Sequence, residues 1–567
     1  MRTLFKCHPR FIVLSTLLIL VFLAACSTEN LPPGAFRNGV VVSTQKIASQ
    51  VGADILKNGG NAVDAAVAVS YALAVVHPSA GNIGGGGFMV IRGQDGSATT
   101  IDYREKAPGN GHRDMYLDEN GEVIRDLSRL GALAVGVPGT VAGTLYALEK
   151  YGTMSREEVI QPAIDLAENG WILDRSMGGD RFKQFPSTNA IFNKPDGNRY
   201  EEGELFVQKD LAQTLSTIAE IGHDGFYSGV VADQIVKTME KHSGLITHED
   251  LGNYIAIERP AVTGTYRGYG IVSMAPASSG GVCLIQLLNL LERYDLKGLG
   301  WNTAETTHYI VEAERRVYAD RTEYLGDPDF VDIPVATLIS KEYADMRAAD
   351  IDPSKATPSD KVTHGNAVPL GTESEETTHF SVVDKDGMAV AVTTTLNGGH
   401  GSYLVVEGAG FLLNNEMDDF SIKPGYPNMY GLMGSHANAI APNKRMLSSM
   451  TPTIITKDGK NYMVIGTPGG STIITTVLQC IVNVIDHDMT IQEAVAAKRF
   501  HHQWYPETVS YEEGAFTDET LAALEAMGHQ FRKRGIGDAH GIIIDPETGI
   551  FYGGADPRSR SSAAIGY

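Results

Sequence analysis

The sequence predicts an α+β protein in which helices pack on the faces of antiparallel sheets. Four pairs of strand-like segments fold back on each other at short turns, at Asp95-Gly96, Asp386-Gly387, Asp458-Gly459 and between Pro546 and Gly549. Asp-Gly is a strong hairpin signal, because both residues tolerate the positive φ angles of the tightest turns. Helical patterns lie between and around these hairpins, so helices layered on antiparallel sheets are the expected architecture.

Two helices are predicted near the start of the folded part. Apolar residues recur at Ile47, Val51 and Ile55 before Gly59-Gly60, a pattern typical of a helix and its C-terminal stop. An alanine-rich helix is expected to begin after Asn61 as N-cap and to end before Pro78. The middle of the chain, roughly 150–350, is expected to be mostly helical.

The first 25 residues have the pattern of a secretory signal. Basic residues at the start precede a 13-residue apolar run and the box Leu-Ala-Ala-Cys, which ends at Cys26. The run is too short for a membrane-spanning helix. The box resembles the bacterial lipoprotein signal, in which the cysteine becomes the lipid-bearing first residue, and an ordinary secreted protein cut near Ala25 is the alternative. Residues 26–40 are predicted to be a tether.

Composition and charge exclude several classes of function. A chain of 567 residues with 43% apolar residues exceeds one ordinary core, so more than one lobe is expected. The formal charge is −22, and removing residues 1–25, which hold three basic residues and no acidic one, leaves −25. This charge argues against nucleic acids and anionic membranes as partners. Cys283 and Cys480 have no metal-ligand spacing, and a disulfide between them stays an open alternative.

Two glycine clusters are candidate backbone sites. The segment "GNIGGGGF" lacks the lysine and hydroxyl residue of a phosphate-binding loop, so close backbone packing is the simpler interpretation. In "GTPGGSTIITTVL" a strand is expected to end at Gly466, and Gly469-Gly470 stand at the start of a helix. N–H groups at such a position can bind a carboxylate, a phosphate or an oxyanion. A tight turn without a ligand is the alternative.

Several polar residues are weak signals when taken alone. Ser448 and Ser449 precede a strand, where adjacent hydroxyls usually cap a turn. Arg104 stands beside Glu105 after a strand, which is ordinarily a surface ion pair worth little stability. Acids that follow an apolar run normally stay solvated, although one of them could bind a cationic amine. The acids in question are Glu416, Asp418 and Asp419.

Together these motifs resemble the γ-glutamyltransferase family. The segments that carry the resemblance are "NIGGGGFM", "ETTHFSVVD", "LLNNEMDDF", "PNKRMLSSMTPT" and "TPGGS". They extend over essentially the whole chain after the leader. The resemblance implies the fold of the N-terminal-nucleophile hydrolases, an αββα sandwich of two stacked, mainly antiparallel sheets covered by helices, made when one precursor is cut in two.

The resemblance implies that Thr377 is the nucleophile and that the Glu376–Thr377 bond is the cleavage site. A threonine hydroxyl needs a base near neutral pH, and an α-amino group with a pKa of about 8 can be that base. Cleavage would create this amine and give products of 26–376 and 377–567, in which 41–376 is the large subunit and 377–567 the small subunit. Thr395, 18 residues later on the same hairpin, matches the threonine that hydrogen-bonds the nucleophile and assists cleavage.

The same resemblance assigns the rest of the site. Gly469 and Gly470 would form the oxyanion hole with their N–H groups, consistent with their place at a helix start. Arg104 matches the arginine that binds the α-carboxylate of the glutamyl group, with Ser448 and Ser449 as hydroxyl donors. The residues that match the binding site of the α-ammonium group are Asn397, Glu416 and Asp419.

The segment 421–444 resembles the lid loop of lid-bearing members. It is rich in glycine and proline, as suits a mobile surface loop, and Tyr430 stands at the position of the gating tyrosine. A lid favours a γ-glutamyl-peptide enzyme over the related cephalosporin acylases, some of which lack it.

Three positions depart from the family pattern, and none of them removes a catalytic group. His400, after Gly398-Gly399, is expected either to alter acceptor access or to be an exposed loop histidine. Met446 replaces a proline expected before Leu447-Ser448-Ser449, which would loosen the loop that carries the two serines. Glu416 stands where some relatives have glutamine.

The sequence therefore predicts a self-cleaving γ-glutamyltransferase, a periplasm-facing lipoprotein of the cell envelope whose two fragments stay together as a heterodimer. Its donors would be glutathione and similar γ-glutamyl compounds, and its acceptors water, an amino acid or a dipeptide. No metal or organic cofactor is implied. Two alternatives stay open, namely a related acylase for cephalosporin, glutaryl or γ-polyglutamate substrates and a non-catalytic solute-binding lipoprotein.

Overall fold

Two seven-stranded antiparallel sheets form the centre of the molecule. The structure is a computed structural model that describes residues 31–124, 126–363 and 377–567. The first sheet has the strand order β19-β2-β10-β11-β3-β4-β7 and the second β1-β18-β17-β13-β12-β9-β8. The strands are β1 Ala35–Phe36, β2 Gly39–Ser43, β3 Gly86–Arg92, β4 Ala98–Tyr103, β5 Trp171–Ile172, β6 Leu205–Phe206, β7 Ile257–Arg259, β8 Val262–Tyr266, β9 Tyr269–Ser273, β10 Thr378–Asp384, β11 Ala389–Thr395, β12 Thr453–Lys457, β13 Lys460–Gly466, β14 Phe500–His501, β15 Thr508–Tyr511, β16 Gln530–Lys533, β17 His540–Ile544, β18 Phe551–Ala555 and β19 Ala563–Gly566.

Helices cover the outer faces of both sheets. They are α1 Lys46–Lys57, α2 Ala62–Val76, α3 Thr140–Tyr151, α4 Arg156–Asn169, α5 Pro186–Phe192, α6 Lys209–Ile221, α7 Asp224–Tyr227, α8 Gly229–Lys241, α9 His248–Gly252, α10 Gly280–Leu291, α11 Leu296–Leu299, α12 Ala304–Tyr324, α13 Val335–Leu338, α14 Lys341–Ala348, α15 Ile473–Ile485, α16 Ile491–Ala496 and α17 Asp518–Met527. The helices α1 and α2 pack against the first sheet, and α10, α15 and α16 pack against the second.

A buried apolar layer joins the two sheets. Val40 and Val90 of the first sheet belong to one cluster with Ile454, Val464 and Ile542 of the second, and all five side chains are fully buried. Separate apolar clusters lie between each sheet and its helices. Because the strands are buried on both faces, this is the αββα sandwich that the resemblance predicted.

The predicted hairpins and N-terminal helices are confirmed. The four turns join β3 to β4, β10 to β11, β12 to β13 and β17 to β18. Asn61 is the N-cap of α2, where its side chain accepts hydrogen bonds from the N–H groups of Val63 and Asp64 and the Asp64 side chain reciprocates. Such a capping box satisfies N–H groups that a helix start leaves free.

The middle of the chain contains sheet strands that the sequence did not predict. It is mostly helical, as expected, but β7 is the edge strand of the first sheet and β8 and β9 belong to the second. The strand β9 pairs with β12, about 180 residues later in the chain. Their pairing is therefore a tertiary event that local periodicity does not reveal.

Two further expectations are corrected. The predicted tether of 26–40 overlaps β1 and the start of β2, which pair with β18 and β10, so the described fold begins before residue 41. Cys283 and Cys480 are both free and buried, which excludes the disulfide. None of the helices in the described ranges has the length and apolar character needed to cross a membrane. Residues 1–25 and Cys26 lie outside the described residues.

Candidate active site

Thr377 lies at the start of a central strand of the first sheet. The β10–β11 hairpin pairs Thr378 with Thr394, which brings Thr377 and Thr395 to the same end of the hairpin. Both side chains are almost completely buried, at 7% and 3% exposure, and line the same cavity. The Thr395 hydroxyl accepts a hydrogen bond of 2.7 Å from the N–H of Asn397. The hairpin therefore places the predicted nucleophile beside the predicted second threonine.

Thr377 separates two spaces of different character. On one side lies a polar cavity of about 20 Å³, called here the glutamyl cavity. Its lining residues are Arg104, Arg321, Thr377, Thr395, Asn397, Asp419, Tyr430, Leu432, Ser448, Ser449, Met450, Gly470 and Ile473. On the other side lies an open groove of about 500 Å³ that Thr377 shares with Gly469 and with charged residues including Asp538 and Arg560. A group bound in one space can thus exchange with a group in the other at the threonine.

Gly469 and Gly470 lie just after the end of β13, a central strand of the second sheet. The strand β13 ends at Gly466, and a short 3-10 turn beginning at Gly470 leads into α15. Gly469 has φ +135° and Gly470 φ +55°, both in the region that favours glycine. Within the described chain, neither N–H group donates a hydrogen bond. They are therefore available to an oxygen bound at Thr377.

Arg104 is buried, which overturns the expectation of a surface ion pair. Its guanidinium Nη2 lies 2.5 Å from Asp419 Oδ2, and Nη1 lies 2.6 Å from Glu416 Oε2 and 3.3 Å from Glu105 Oε2. Nε donates to the carbonyl oxygen of Met446. Two of these carboxylates come from residues more than 300 positions later in the chain, in a 3-10 turn of 416–419. Arg104 is therefore held in place by three carboxylates and a backbone carbonyl.

The three carboxylates around Arg104 share its single charge. Burial raises the pKa of Glu105 to about 7, against the opposing effect of Arg104. Burial likewise raises the pKa values of Glu416 and Asp419, again opposed by Arg104. Their mutual repulsion adds to the effect of burial. The cluster accordingly favours binding a cation or a proton.

Acceptor oxygens without donors lie near this cluster. Asn397 Oδ1 and both carboxylate oxygens of Glu416 are buried and accept no hydrogen bond in the described structure, although Glu416 is ion-paired to Arg104. The 2.6 Å contact is thus an ion pair without an aligned N–H group. Asn397 and Asp419 line the glutamyl cavity, whereas Glu416 does not. A cationic amine in the cavity would meet Asn397 and Asp419 first.

Ser448 and Ser449 both line the glutamyl cavity. The Ser448 hydroxyl accepts from the N–H of Met450 at 3.1 Å, and the Ser449 hydroxyl accepts from Arg321 Nη2 at 3.1 Å. Neither hydroxyl donates to a described protein group, so each keeps its hydrogen for a ligand. Arg321, on α12, is a cavity residue that the sequence analysis missed.

Tyr430 closes the glutamyl cavity. Its hydroxyl donates a 2.5 Å hydrogen bond to the carbonyl oxygen of Asn397, and its side chain is buried. A Cβ atom on Gly470 would lie 2.4 Å from the Tyr430 ring, so the ring rests directly on that glycine. The predicted lid residue is thus placed over both the cavity and the candidate oxyanion hole.

Comparison with known proteins decides the family. The family model described as gamma-glutamyltranspeptidase matches residues 48–566. The chain belongs to the γ-glutamyltranspeptidase family. It is 51% identical over 543 residues to the glutathione hydrolase proenzyme of Escherichia coli (strain K12), covering 94% of this chain and 93% of that protein. It is 49% identical to the glutathione hydrolase proenzyme of Pseudomonas sp. (strain A14) over 98% of each chain. The crystal structure of the cephalosporin acylase from Bacillus halodurans has a TM-score of 0.80 at 26% identity, over 96% of this chain and 98% of that chain.

Two of the three positions that depart from the γ-glutamyltranspeptidase pattern, His400 and Met446, have packing roles. The ring of His400 packs edge-on against Phe182, with ring centroids 4.9 Å apart, and also contacts Phe192 and Tyr403. His400 is therefore part of an aromatic cluster and not an exposed loop residue. Met446 is fully buried in a small apolar cluster, so it fills space in its loop.

In the described part of this γ-glutamyltranspeptidase, one group of side chains lies close enough together to hold a metal ion. The contacts of these side chains argue against a bound ion. The group is His308, Glu312 and His529. Glu312 is already ion-paired with Arg315 and Arg316, whose positive charges would repel a cation. The two histidine rings hydrogen-bond each other at 2.9 Å. These contacts account for the cluster without an ion.

Proposed function

We propose that this γ-glutamyltranspeptidase is a self-cleaving enzyme that transfers or hydrolyses the γ-glutamyl group of glutathione and related compounds. The observation that carries the proposal is the place of Thr377 between a closed cavity with groups of both charges and an open groove. A γ-glutamyl group has one carboxylate and one ammonium, which matches the cavity. The names of the relatives as glutathione hydrolase proenzymes support the same donor and a precursor form.

Maturation would begin with attack of the Thr377 hydroxyl on the carbonyl carbon of Glu376. The C–N bond breaks, an ester forms on Oγ1, and the Thr377 nitrogen becomes an amine. Water then hydrolyses the ester, leaving a carboxylate on Glu376 and a free hydroxyl on Thr377. Glu376 lies outside the described residues. The proposed products are a large fragment of 26–376, which holds the tether and the large subunit of 41–376, and a small fragment of 377–567.

The two fragments would remain one heterodimer. In the first sheet, β10 and β11 of the small fragment lie between β2 and β3 of the large one. In the second sheet, β12 pairs with β9 across the same division. Because both sheets and the layer between them mix the fragments, separating the fragments would expose much of the core.

Catalysis would proceed in two acyl transfers. The freed α-amine of Thr377 takes the proton of its own hydroxyl as Oγ1 attacks the γ-carbonyl carbon of the donor, and then passes that proton to the leaving amine. The negative oxygen of each tetrahedral intermediate would accept from the N–H groups of Gly469 and Gly470. Thr395 would hold the nucleophile in place. Water or the amine of an amino acid or dipeptide, entering by the groove, then takes the γ-glutamyl group from Thr377.

The glutamyl end of the donor would lie in the glutamyl cavity. Its α-carboxylate would accept from Ser448, Ser449 and Arg104, and its α-ammonium would donate to Asn397 and Asp419, with the charge of Glu416 nearby. A volume of about 20 Å³ holds roughly one water molecule and excludes a glutamyl group. Donor binding therefore requires that Tyr430 and its loop move outward, in the manner of a lid.

Targeting to the cell envelope is proposed from the leader. Residues 1–25 would be removed as a lipoprotein signal and Cys26 would carry lipid, with a short tether before β1. The mature enzyme would then face the periplasm as a membrane-anchored lipoprotein.

An assay of three anilides tests the proposal. The mature enzyme is expected to release the anilide from a γ-glutamyl donor, and the Thr377→Ala variant is expected to release none. Preference for a glutaryl anilide would favour an acylase, a function that the similarity to the cephalosporin acylase also supports. Binding of γ-glutamyl compounds without turnover would favour the solute-binding protein. A phenylacetyl anilide of similar size is the control for nonspecific hydrolysis.

A further inference from the structure

The proposed lid residue Tyr430 is held from two sides. Its hydroxyl donates to the carbonyl oxygen of Asn397, just after the β10–β11 hairpin. Its own backbone carbonyl oxygen accepts a hydrogen bond of 3.1 Å from Nε2 of Gln503. Among the described residues, no other group donates to that carbonyl oxygen. Gln503 is 5% exposed, so water has little access to this second bond.

A buried histidine fixes the amide of Gln503. Gln503 Oε1 lies 2.7 Å from Nε2 of His501, and His501 Nδ1 lies 2.9 Å from the Thr475 hydroxyl. Because an amide oxygen only accepts, Nε2 carries the hydrogen and Nδ1 accepts from Thr475. Burial lowers the pKa of His501 to about 4, so the ring is neutral near pH 7, as this pattern requires. The histidine therefore turns the NH2 group of Gln503 toward Tyr430.

The histidine and its glutamine partner belong to the body of the enzyme and not to the lid. His501 ends β14, and the preceding Phe500 exchanges two backbone hydrogen bonds with the side chain of Gln479 on α15. The ring of His501 also packs edge-on against Tyr318 of α12, with ring centroids 5.8 Å apart. Tyr318 donates to the carbonyl oxygen of Ser471, in the turn of the candidate oxyanion hole. These contacts hold the pair in place when the lid moves.

Admission of a donor requires that Tyr430 leave this position. The glutamyl cavity, which Tyr430 lines, has a volume of about 20 Å³ and holds roughly one water molecule. Outward movement of the Tyr430 backbone would break its bond from Gln503 as well as its bond to Asn397. One such hydrogen bond changes an equilibrium about fivefold. The two bonds together would therefore set the fraction of molecules with an open lid.

We infer that Gln503 is a positioning residue that, oriented by His501, holds the lid in its closed position. Gln503 lines neither the glutamyl cavity nor the open groove, so it acts only through the backbone carbonyl of Tyr430. The kinetic consequence of this inference rests on the proposed function, since it concerns admission of the γ-glutamyl donor. The movement of the lid itself can be measured without a substrate.

Hydrogen exchange of the lid is the first test, followed by mass spectrometry of peptides that contain Met429. The Met429 N–H donates to Asp418 Oδ2, outside the lid, at 2.7 Å, and it would become exposed when the lid opens. Gln503→Met keeps the length of the side chain and removes the donor. In the mature Gln503→Met enzyme, exchange at this N–H is expected to be about fivefold faster than in the wild type.

Gln208→Met is the matched control. Gln208 is also 5% exposed, and its amide also donates to a backbone carbonyl oxygen, that of Val75, at 2.9 Å. It lines neither the glutamyl cavity nor the groove. Lid exchange in this variant is expected to equal that of the wild type. If Gln503→Met fails to self-cleave, Gln503→Asn replaces it, because the shorter side chain withdraws the amide from Tyr430.

Steady-state kinetics with a γ-glutamyl anilide are the second test. Gln503→Met is expected to lower KM by up to about fivefold, because a larger fraction of the enzyme is open to the donor. Its kcat should stay within about twofold of the wild-type value, whereas partial misfolding would lower kcat and leave KM unchanged. His501→Phe should also lower KM. In the Gln503→Met background, His501→Phe should change KM less than about twofold, because it acts through the lost amide.

Each result supports or overturns the inference. Wild-type lid exchange and KM in Gln503→Met would show that Tyr430 moves without leaving Gln503, and the inference would be wrong. Equally fast lid exchange in Gln208→Met would show a general loosening and would also overturn it. Additive effects of His501→Phe and Gln503→Met on KM would contradict the role of His501. If the wild type does not cleave the anilide, the proposed function fails, and lid exchange alone decides whether Gln503 holds the lid.

Discussion

The hydroxyl of Tyr430 donates a hydrogen bond to the backbone carbonyl of Asn397 across the mouth of the glutamyl cavity, at 2.5 Å. Asn397 lies two residues after Thr395, the last residue of β11, so this bond ties the lid loop to the hairpin that presents the nucleophile. The Tyr430 ring also covers Gly470. Closure of the lid and assembly of the reaction centre are therefore coupled through one side chain.

Tyr430→Phe is expected to favour the open lid. A hydrogen bond of this kind contributes about 1 kcal/mol, so its loss should lower the KM for a γ-glutamyl anilide by up to about fivefold. The ring is retained and still covers Gly470. Steady-state kinetics measure the change, with Tyr426→Phe in the same loop as the control. A KM equal to that of the wild type would show that the bond does not hold the lid closed.

Gly470→Ala is expected to lower kcat about 100-fold or more, because the new Cβ would displace the Tyr430 ring and disturb the oxyanion hole. The comparison variant is Gly549→Ala. Gly549 also has a positive φ, of +70°, but a Cβ there would meet no atom within 4 Å. Both variants carry backbone strain, so strain alone would lower their kcat values to a similar extent. Similar kcat losses in the two variants would argue against the oxyanion assignment.

Binding of L-glutamate is expected to weaken as the pH rises through about 7. Burial raises the pKa of Glu105 to about 7, so this carboxyl is neutral below that pH and anionic above it. The anionic form adds negative charge beside Arg104 and opposes the ligand's carboxylate. The inhibition constant should rise about 3- to 10-fold between pH 6 and 8. Glu105→Gln should remove this dependence, whereas exposed Glu119→Gln should not.

Folding stability is expected to fall as the pH drops from about 6.5 to 4. Burial lowers the pKa of His501 to about 4, while the unfolded chain has the ordinary value near 6.5. Between these values the unfolded state binds a proton that the folded state does not, which costs about 1.4 kcal/mol per pH unit. In the uncleaved Thr377→Ala background, His501→Gln should reduce the slope of unfolding free energy against pH by that amount. Exposed His112→Gln is the control, and an equal slope in both variants would contradict the prediction.

The sequence predicted the local features better than the tertiary ones. The Asp-Gly turns, the Asn61 cap and the end of β13 at Gly466 depend on neighbouring residues, and the structure places them as predicted. The burial of Arg104 depends on carboxylates more than 300 residues away, so it looked like a surface ion pair. The sequence did not indicate that Arg321 lines the cavity either, because an arginine in the last turn of a helix is ordinarily explained by its favourable interaction with the helix dipole.

The central claim is that Thr377 becomes an N-terminus, and the masses of the purified protein test it most directly. Denaturing mass spectrometry compares the wild type with Thr377→Ala and Thr377→Ser. The account predicts a wild-type fragment that starts at Thr377 and ends at Tyr567, the same fragment formed more slowly or in part by Thr377→Ser, and a single chain for Thr377→Ala. A single uncut chain in the wild type, or an identical fragment from Thr377→Ala, would contradict the account.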